Sequence, residues 1–135
     1  NESGAHAYVS IHINASKSQK DQGFQVWYGT GSEKSESLAT PIYNCVRKAE
    51  ICTRIRAVKK VPNTLYIVRS VTIPSVLIEC GFLSNATDLY QLKQESFRND
   101  LCDAICNGIL DYLSGIKADI TPSETKNPSA VKENR

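Results

Sequence analysis

Four short apolar runs along the chain, at 6–12, 24–28, 64–69 and 76–79, have the pattern of β-strands. The last run is the most apolar, with branched side chains at 76–78 followed at once by Glu79. Runs of this kind are typical of parallel strands that are covered on both faces of a sheet. The pattern therefore predicts a buried strand that carries a carboxylate at its end.

A helix is predicted between the second and third runs, because apolar residues recur there at helical spacing. Ser32 is the predicted N-cap of this helix. Pro41 has no backbone N–H to donate, so we expect a kink or a restart of the helix at that position. The apolar positions of this helix are Leu38, Ile42, Cys45, Val46 and Ala49.

Two more helices are predicted after Glu79. Asn85 is the predicted N-cap of a short helix over 86–92, with Asp88 at the fourth position of a capping box. Ser96 is the predicted cap of a last helix, which carries an apolar stripe for packing on the sheet and which Gly115 is expected to end. The domain is therefore predicted to span 1–114, and the polar segment 115–135 is predicted to be a disordered tail.

Composition excludes several classes of function. The 135 residues carry a formal net charge of +2 and are 41% apolar, which suits one domain with a core. No basic cluster interleaved with aromatic residues is present, so nucleic-acid binding is not expected. No apolar stretch approaches the roughly 20 residues of a membrane span. The five cysteines lack the spacing of a zinc finger and are interpreted as small buried hydrophobic residues.

Two strands end in side chains that can carry chemistry. The first strand ends near His12, and the fourth ends in Glu79. Ligands of open α/β sheets bind at the carboxyl ends of the strands, so both groups could point into one crevice. The alternative for Glu79 is an acid that merely ends a strand.

The motif Ser-Ile-His-x-Asn at 10–14 and the longer motif Pro-Ser-Val-Leu-Ile-Glu-Cys-Gly-Phe-Leu-Ser-Asn at 74–85 carry a family resemblance. In this order they resemble the zinc-dependent N-acetylmuramoyl-L-alanine amidases, which cut the bond between glycan and stem peptide in bacterial peptidoglycan. The resemblance runs from about Ala5 to Leu113. It implies an α/β fold with one mixed sheet flanked by helices. It also implies an exported protein of the bacterial cell envelope or, as in the compact germination-type members, of the spore cortex.

The resemblance assigns roles to the two candidate residues. In the family, two histidines and a glutamate hold zinc, and His12 matches the second histidine. Glu79 matches the catalytic glutamate, which handles protons during hydrolysis. Arg69 is a candidate for binding a stem-peptide carboxylate, with an ion pair as the structural alternative. Asn14 is a second substrate-binding candidate, although it could orient His12 or, as we favour, close the turn after it.

Two zinc ligands of the family have no counterpart in this sequence. The Asp-Pro-Gly-His-Gly motif and the following helix that supply them are absent. His6 cannot substitute, since six strand residues place it roughly 20 Å from His12. The chain is therefore interpreted as the carboxyl-terminal part of an amidase domain, without its first strands and helix.

The incomplete metal site has two explanations. We expect the amino-terminal half to be present as a separate polypeptide after proteolytic nicking, because a sheet without its first strands exposes a long unpaired edge. The alternative is an inactive peptidoglycan-binding or regulatory module with the same fold.

Overall fold

The computed structural model describes residues 4–62, 68 and 70–120. Four strands and three helices follow one another along these residues. In chain order they are β1 (Tyr8–Asn14), β2 (Gln25–Tyr28), α1 (Ser35–Lys48), β3 (Lys59–Lys60), β4 (Ser75–Phe82), α2 (Ala86–Lys93) and α3 (Glu95–Ile120).

The strands form one mixed sheet in the order β1-β4-β2-β3. Strand β4 lies inside the sheet, parallel to β1 and antiparallel to β2, while β3 runs parallel to β2. The predicted α/β class with a mixed sheet and flanking helices is confirmed. The branched side chains of β4 explain its central position, because that strand is covered on both faces.

The two faces of β4 belong to two apolar clusters. Val76 and Ile78 point to the main core, which α1 and α3 cover. Leu77 points to the opposite face and packs with Val61 and Val68. This alternation is the period of two that a strand imposes on its side chains, and it sets the face on which Glu79 lies.

The predicted strands match in position and differ at their ends. Strand β1 starts and ends two residues later than the predicted run 6–12, and β4 extends past Glu79 to Phe82. The N–H of Leu83 donates to the carbonyl of Asn14 over 2.8 Å, so the contact between the two strands continues beyond Glu79. The predicted strand 64–69 lies outside the described residues apart from Val68, which is buried.

Helix α1 runs through Pro41 as one helix, so the predicted restart is wrong. The predicted Ser32 cap is also wrong, because the helix begins at Ser35 and its N-cap is Lys34. The Ser32 hydroxyl instead accepts from the N–H of Lys34 over 3.3 Å in the turn before the helix. Packing of the buried apolar face of α1 on the sheet overrides these local signals.

Helix α3 is longer than predicted at both ends. It begins at Glu95, which places Ser96 inside the helix rather than at its cap, and it continues past Gly115 to Ile120. The predictions for Ser96 and Gly115 are therefore wrong, since a glycine in a helix costs only about 1 kcal/mol and does not have to end it. Residues 121–135 lie outside the described part of the chain, and the disordered tail stays a prediction.

The cysteines follow the predicted burial in part. Cys80 is buried, Cys45 and Cys52 are half-buried, and all five thiols are free. Burial raises the pKa of Cys80 to about 12 and that of Cys52 to about 11, so both remain protonated thiols at neutral pH. Cys102 and Cys106 are exposed on α3, and for them the prediction of buried hydrophobic residues is wrong.

Helices α1 and α3 come into contact at a glycine. A Cβ atom on Gly108 would lie 2.4 Å from the Cα atom of Ile42, closer than real atoms approach. Gly108 thus sets the spacing between the two helices, because only a residue without a side chain lets the backbones approach this closely.

Gly108→Ala should lower the free energy of unfolding by roughly 1–3 kcal/mol, the usual cost of an overpacked core. Gly115→Ala on the same helix is the matched control, since nothing lies within 4 Å of its Cβ position. The control should gain up to about 1 kcal/mol from helix propensity. Urea denaturation of both variants measures the difference, and equal stabilities would rule out the steric explanation.

Candidate active site

Strands β1 and β4 bring His12 and Glu79 together. The strands are parallel and adjacent, and their register pairs His12 directly with Glu79. Paired residues on neighbouring strands project to the same face of a sheet. His12 is exposed and Glu79 is half-buried, so the pair lies at an accessible position near the carboxyl ends of both strands. The predicted meeting of the two side chains is confirmed.

A third residue joins this row from β2. The antiparallel register of β2 and β4 places Gln25 opposite Glu79. Gln25 is buried, with 3% of its surface exposed. The row across the three strands is thus His12, Glu79 and Gln25. Gln25 is not predicted from the sequence. The available signal is a polar residue inside an apolar run, but the residue opposite Gln25 depends on a strand register that the local pattern does not give.

The carboxyl group of Glu79 is in an unusual environment. Burial raises its pKa above the ordinary range, while the nearby His12 acts in the opposite direction. Its Oε2 atom is buried and has no hydrogen-bond partner among the described residues. Buried polar atoms are nearly always paired in folded proteins. A buried carboxylate whose pKa is raised by burial, beside a specific charged neighbour, marks Glu79 as a candidate functional residue.

The imidazole of His12 is held on one side by a neighbour. Its Nε2 atom lies 2.8 Å from the hydroxyl of Ser10, two residues earlier on the same face of β1. The register of β1 and β4 is irregular immediately after His12. Asn14 pairs with Phe82, whereas a continuous register would pair Asn14 with Gly81. Irregularities of this kind re-aim side chains and are frequent next to active sites.

The other site predictions have different outcomes. The Oδ1 atom of Asn14 accepts from the N–H of the next residue, Ala15, over 2.8 Å, and the roles of Asn14 in closing the turn or orienting His12 stay predictions. Substrate binding by Asn14 stays a prediction. Arg69 lies outside the described residues, and its role stays a prediction as well. His6 is exposed and precedes β1, so the predicted strand location for His6 is wrong.

A buried aspartate connects the segments on either side of the row. The Oδ2 atom of Asp88 accepts from the N–H groups of Gly23 and Phe82 over 2.7 and 2.8 Å. Asn85 caps α2 as predicted, since its Oδ1 accepts from the N–H of Asp88. The carboxylate of Asp88 does not complete a capping box; it ties β4 to the loop that enters β2.

Gly81 shows how closely these segments approach. Its φ is +152°, and a Cβ atom there would lie 3.2 Å from the Asp88 carboxylate. The backbone conformation favours glycine at this position, and the Asp88 side chain leaves little room for a Cβ atom. The end of β4, directly after Glu79, is therefore fixed by Gly81 and Asp88 together.

The described residues contain no group of three His, Cys, Asp or Glu side chains that could hold a metal ion. His12 supplies one imidazole, which is one ligand of a zinc site and not a complete site, and Glu79 beside it supplies a carboxylate that can carry a proton. Within the described part of the chain, no helix is both long enough and apolar enough to cross a membrane.

The family assignment follows from comparison of the sequence with known families. The family model for N-acetylmuramoyl-L-alanine amidases matches residues 1–111. The chain belongs to this amidase family. The predicted resemblance is thus confirmed over the segment that contains the His12–Glu79 pair.

Relatives within the amidase family include proteins named as a germination-specific amidase and as a probable cell wall amidase. The germination-specific N-acetylmuramoyl-L-alanine amidase of Bacillus subtilis is 34% identical over 114 residues, which cover 84% of this chain and 47% of that protein. The amidase LytC of the same organism is 34% identical over 80% of this chain and 22% of its own length. The chain thus spans about half or less of these two curated relatives.

Solved structures of amidases share the fold. The CwlD amidase of Clostridioides difficile, solved in complex with the GerS lipoprotein, is 36% identical with a TM-score of 0.76, covering 84% of this chain and 57% of that one. An N-acetylmuramoyl-L-alanine amidase from Clostridium difficile 630 is 30% identical with a TM-score of 0.77, covering 84% and 61%. The described sheet and helices therefore correspond to a part of each of these two solved chains.

Proposed function

We propose that the protein containing this chain hydrolyses the amide bond between N-acetylmuramic acid and L-alanine in bacterial peptidoglycan, with zinc as cofactor. The observation that supports this proposal is the Glu79 carboxylate in a chain of the amidase family. Its Oε2 atom has no hydrogen-bond partner within the described part of the chain, and the strand register pairs Glu79 with His12. One relative is named as germination-specific and another as a probable cell wall amidase, and we propose export to the cell wall or the spore cortex as the site of action.

Glu79 is the proposed proton carrier of the reaction. Its carboxylate takes a proton from the attacking water, and the resulting hydroxide adds to the carbonyl carbon of the scissile amide. The tetrahedral intermediate then loses the C–N bond. The proton held by Glu79 passes to the departing nitrogen of L-alanine, which returns the carboxylate to its starting state. A pKa raised by burial suits this cycle, because the group must hold the proton between the two transfers.

His12 is the proposed contribution of this chain to the metal site. The His12 side chain is exposed beside Glu79, and its Nε2 atom contacts the hydroxyl of Ser10. The Nδ1 atom is therefore the nitrogen that can give its lone pair to a metal ion. Zinc, when bound, supplies Lewis-acid activation of water and of the carbonyl group. The remaining ligands would come from the part of the amidase domain that this chain does not cover.

The exposed edge of the sheet at β1 supports the proposal that further residues pack there and complete the site. Strand β1 ends the strand order among the described residues, and Ile11 and Ile13 on it are 61% and 47% exposed. With Leu101 and Ile105 of α3 they line an apolar groove beside that edge. Exposed edges and grooves of this kind are usually covered. The predicted separate chain stays a prediction, and the intact mass of an active preparation would show whether one polypeptide or two are present.

The inactive module remains the second candidate. It is favoured by one observation, the lack of a group of three metal-binding side chains among the described residues. Zinc content separates the two candidates, because an inactive module of this fold has no complete site to fill.

The complete protein should contain about one zinc ion per molecule and should release stem peptides with new L-alanine amino groups from purified peptidoglycan. His12→Ala should lose the zinc and at least roughly 10²-fold of the activity, because a three-ligand site does not tolerate loss of a ligand. His6→Ala is the matched control and should keep both. Hydrolysis that persists without zinc would contradict the proposed cofactor, and zinc without hydrolysis would contradict the proposed reaction.

A further inference from the structure

The hydroxyl of Ser10 is the feature of the site that the proposed reaction leaves unexplained. Ser10 is 9% exposed and lies on β1 next to Leu77 of β4 in the strand register. An apolar side chain would suit this position, since Leu77 is part of an apolar cluster on the same face. The serine instead places its Oγ atom 2.8 Å from Nε2 of His12.

The contact restricts the chemistry of the imidazole. A neutral imidazole carries one proton on either Nδ1 or Nε2, and the other nitrogen keeps a lone pair. A metal ion requires that lone pair. Because Nε2 is engaged by Ser10, Nδ1 is the nitrogen left to face a ligand. It can donate its lone pair only when the proton is on Nε2, from where it is donated to Oγ of Ser10.

We propose that Ser10 is a positioning residue for His12: its hydroxyl accepts the Nε2 proton, fixes the imidazole in that tautomer and directs Nδ1 toward the metal. This inference rests on the proposed function for its metal, although the tautomer itself can be observed without metal. Hydrogen bonds to the second nitrogen of a ligand histidine orient the ring and raise its basicity, and their loss typically costs 10- to 100-fold in metal affinity.

Ser10→Val and Ser10→Thr form a matched pair for the test, because the two side chains have nearly the same shape and differ in one hydroxyl. In the complete protein, Ser10→Val should bind zinc roughly 10- to 100-fold more weakly in competition with a chelator. Ser10→Thr should stay within about 3-fold of the unchanged protein, since it keeps the hydroxyl. The metal-free Ser10→Val variant should be at least as heat-stable, because valine favours strands.

Nitrogen-15 NMR of the metal-free protein provides the second measurement, with His6→Gln used to assign the two imidazoles. The unchanged protein should show His12 with its proton on Nε2, and Ser10→Val should show a mixture of tautomers. An unchanged tautomer and unchanged zinc affinity in Ser10→Val would overturn the positioning role. A third outcome is possible, in which the tautomers are as expected but neither the unchanged protein nor any variant binds zinc. In that case the proposed function fails and the tautomer assignment stands.

Discussion

Replacing Glu79 with glutamine should lower the rate of peptidoglycan hydrolysis by roughly 10²- to 10⁴-fold, which is the usual contribution of a general acid–base group. Glutamine has nearly the shape of glutamate but cannot take a proton from water and return it to the leaving nitrogen. The zinc content should not change, because Glu79 is not one of the proposed metal ligands. The loss should therefore be in kcat, with KM little affected.

The same substitution should lower activity without lowering stability at neutral pH. Burial raises the pKa of Glu79 in the folded protein. A carboxyl group whose pKa is raised on folding stabilises the fold below its unfolded pKa and loses that contribution as the pH rises through its folded pKa. Glutamine stays neutral at every pH. Glu79→Gln should thus be at least as stable as the unchanged protein at neutral pH, and its advantage should vanish in acid.

Two measurements test this prediction together. Release of L-alanine amino groups from peptidoglycan gives the activity, and urea denaturation at acid and neutral pH gives the stability. Glu36→Gln is the matched control, because Glu36 is exposed in the first turn of α1. Activity of Glu79→Gln within tenfold of the unchanged protein would exclude Glu79 as the proton carrier. Equal loss of stability and activity would show a structural role instead.

The central strand and its carboxylate could be predicted because the information is local. Three branched apolar residues followed by Glu79 define β4, and the Ser-Ile-His-x-Asn motif defines the end of β1. Asn85 was found as a helix cap for the same reason, since a cap bonds to its own first turn. Features that depend only on residues close together along the chain can be predicted from the sequence.

The rest of the site depends on contacts between distant segments. Gln25 faces Glu79 only because of the antiparallel register between β2 and β4. The spacing of Asp88 from Asn85 predicts a capping box, whereas the Asp88 carboxylate accepts from the N–H of Gly23, 65 residues away along the chain. Local rules also failed at Ser96 and Gly115, since α3 begins before the predicted cap and continues past the predicted end. No periodicity or motif fixes such long-range partners.

Asp88→Ala should cause a large loss of stability, lowering the free energy of unfolding by roughly 2–5 kcal/mol, because it leaves two buried N–H groups without an acceptor. Asp88 is 4% exposed, so water has little access to replace the carboxylate. The two donors, Gly23 and Phe82, lie beside Gln25 and Glu79 of the candidate site. Hydrolysis should therefore fall even at temperatures where the variant is folded, since the row of side chains loses its support.

Asp88→Asn separates the hydrogen bonds from the charge. Its amide oxygen can still accept from both N–H groups, but bonds to a charged acceptor are roughly twice as strong as neutral ones. The expected loss is therefore intermediate, about 1–3 kcal/mol by urea denaturation. Asp103→Ala, at an exposed position of α3, is the control and should stay within about 0.5 kcal/mol. The loss of stability should therefore be largest for Asp88→Ala, smaller for Asp88→Asn and smallest for the control. An alanine variant as stable as the control would mean that the carboxylate does not hold the end of β4 to the loop before β2.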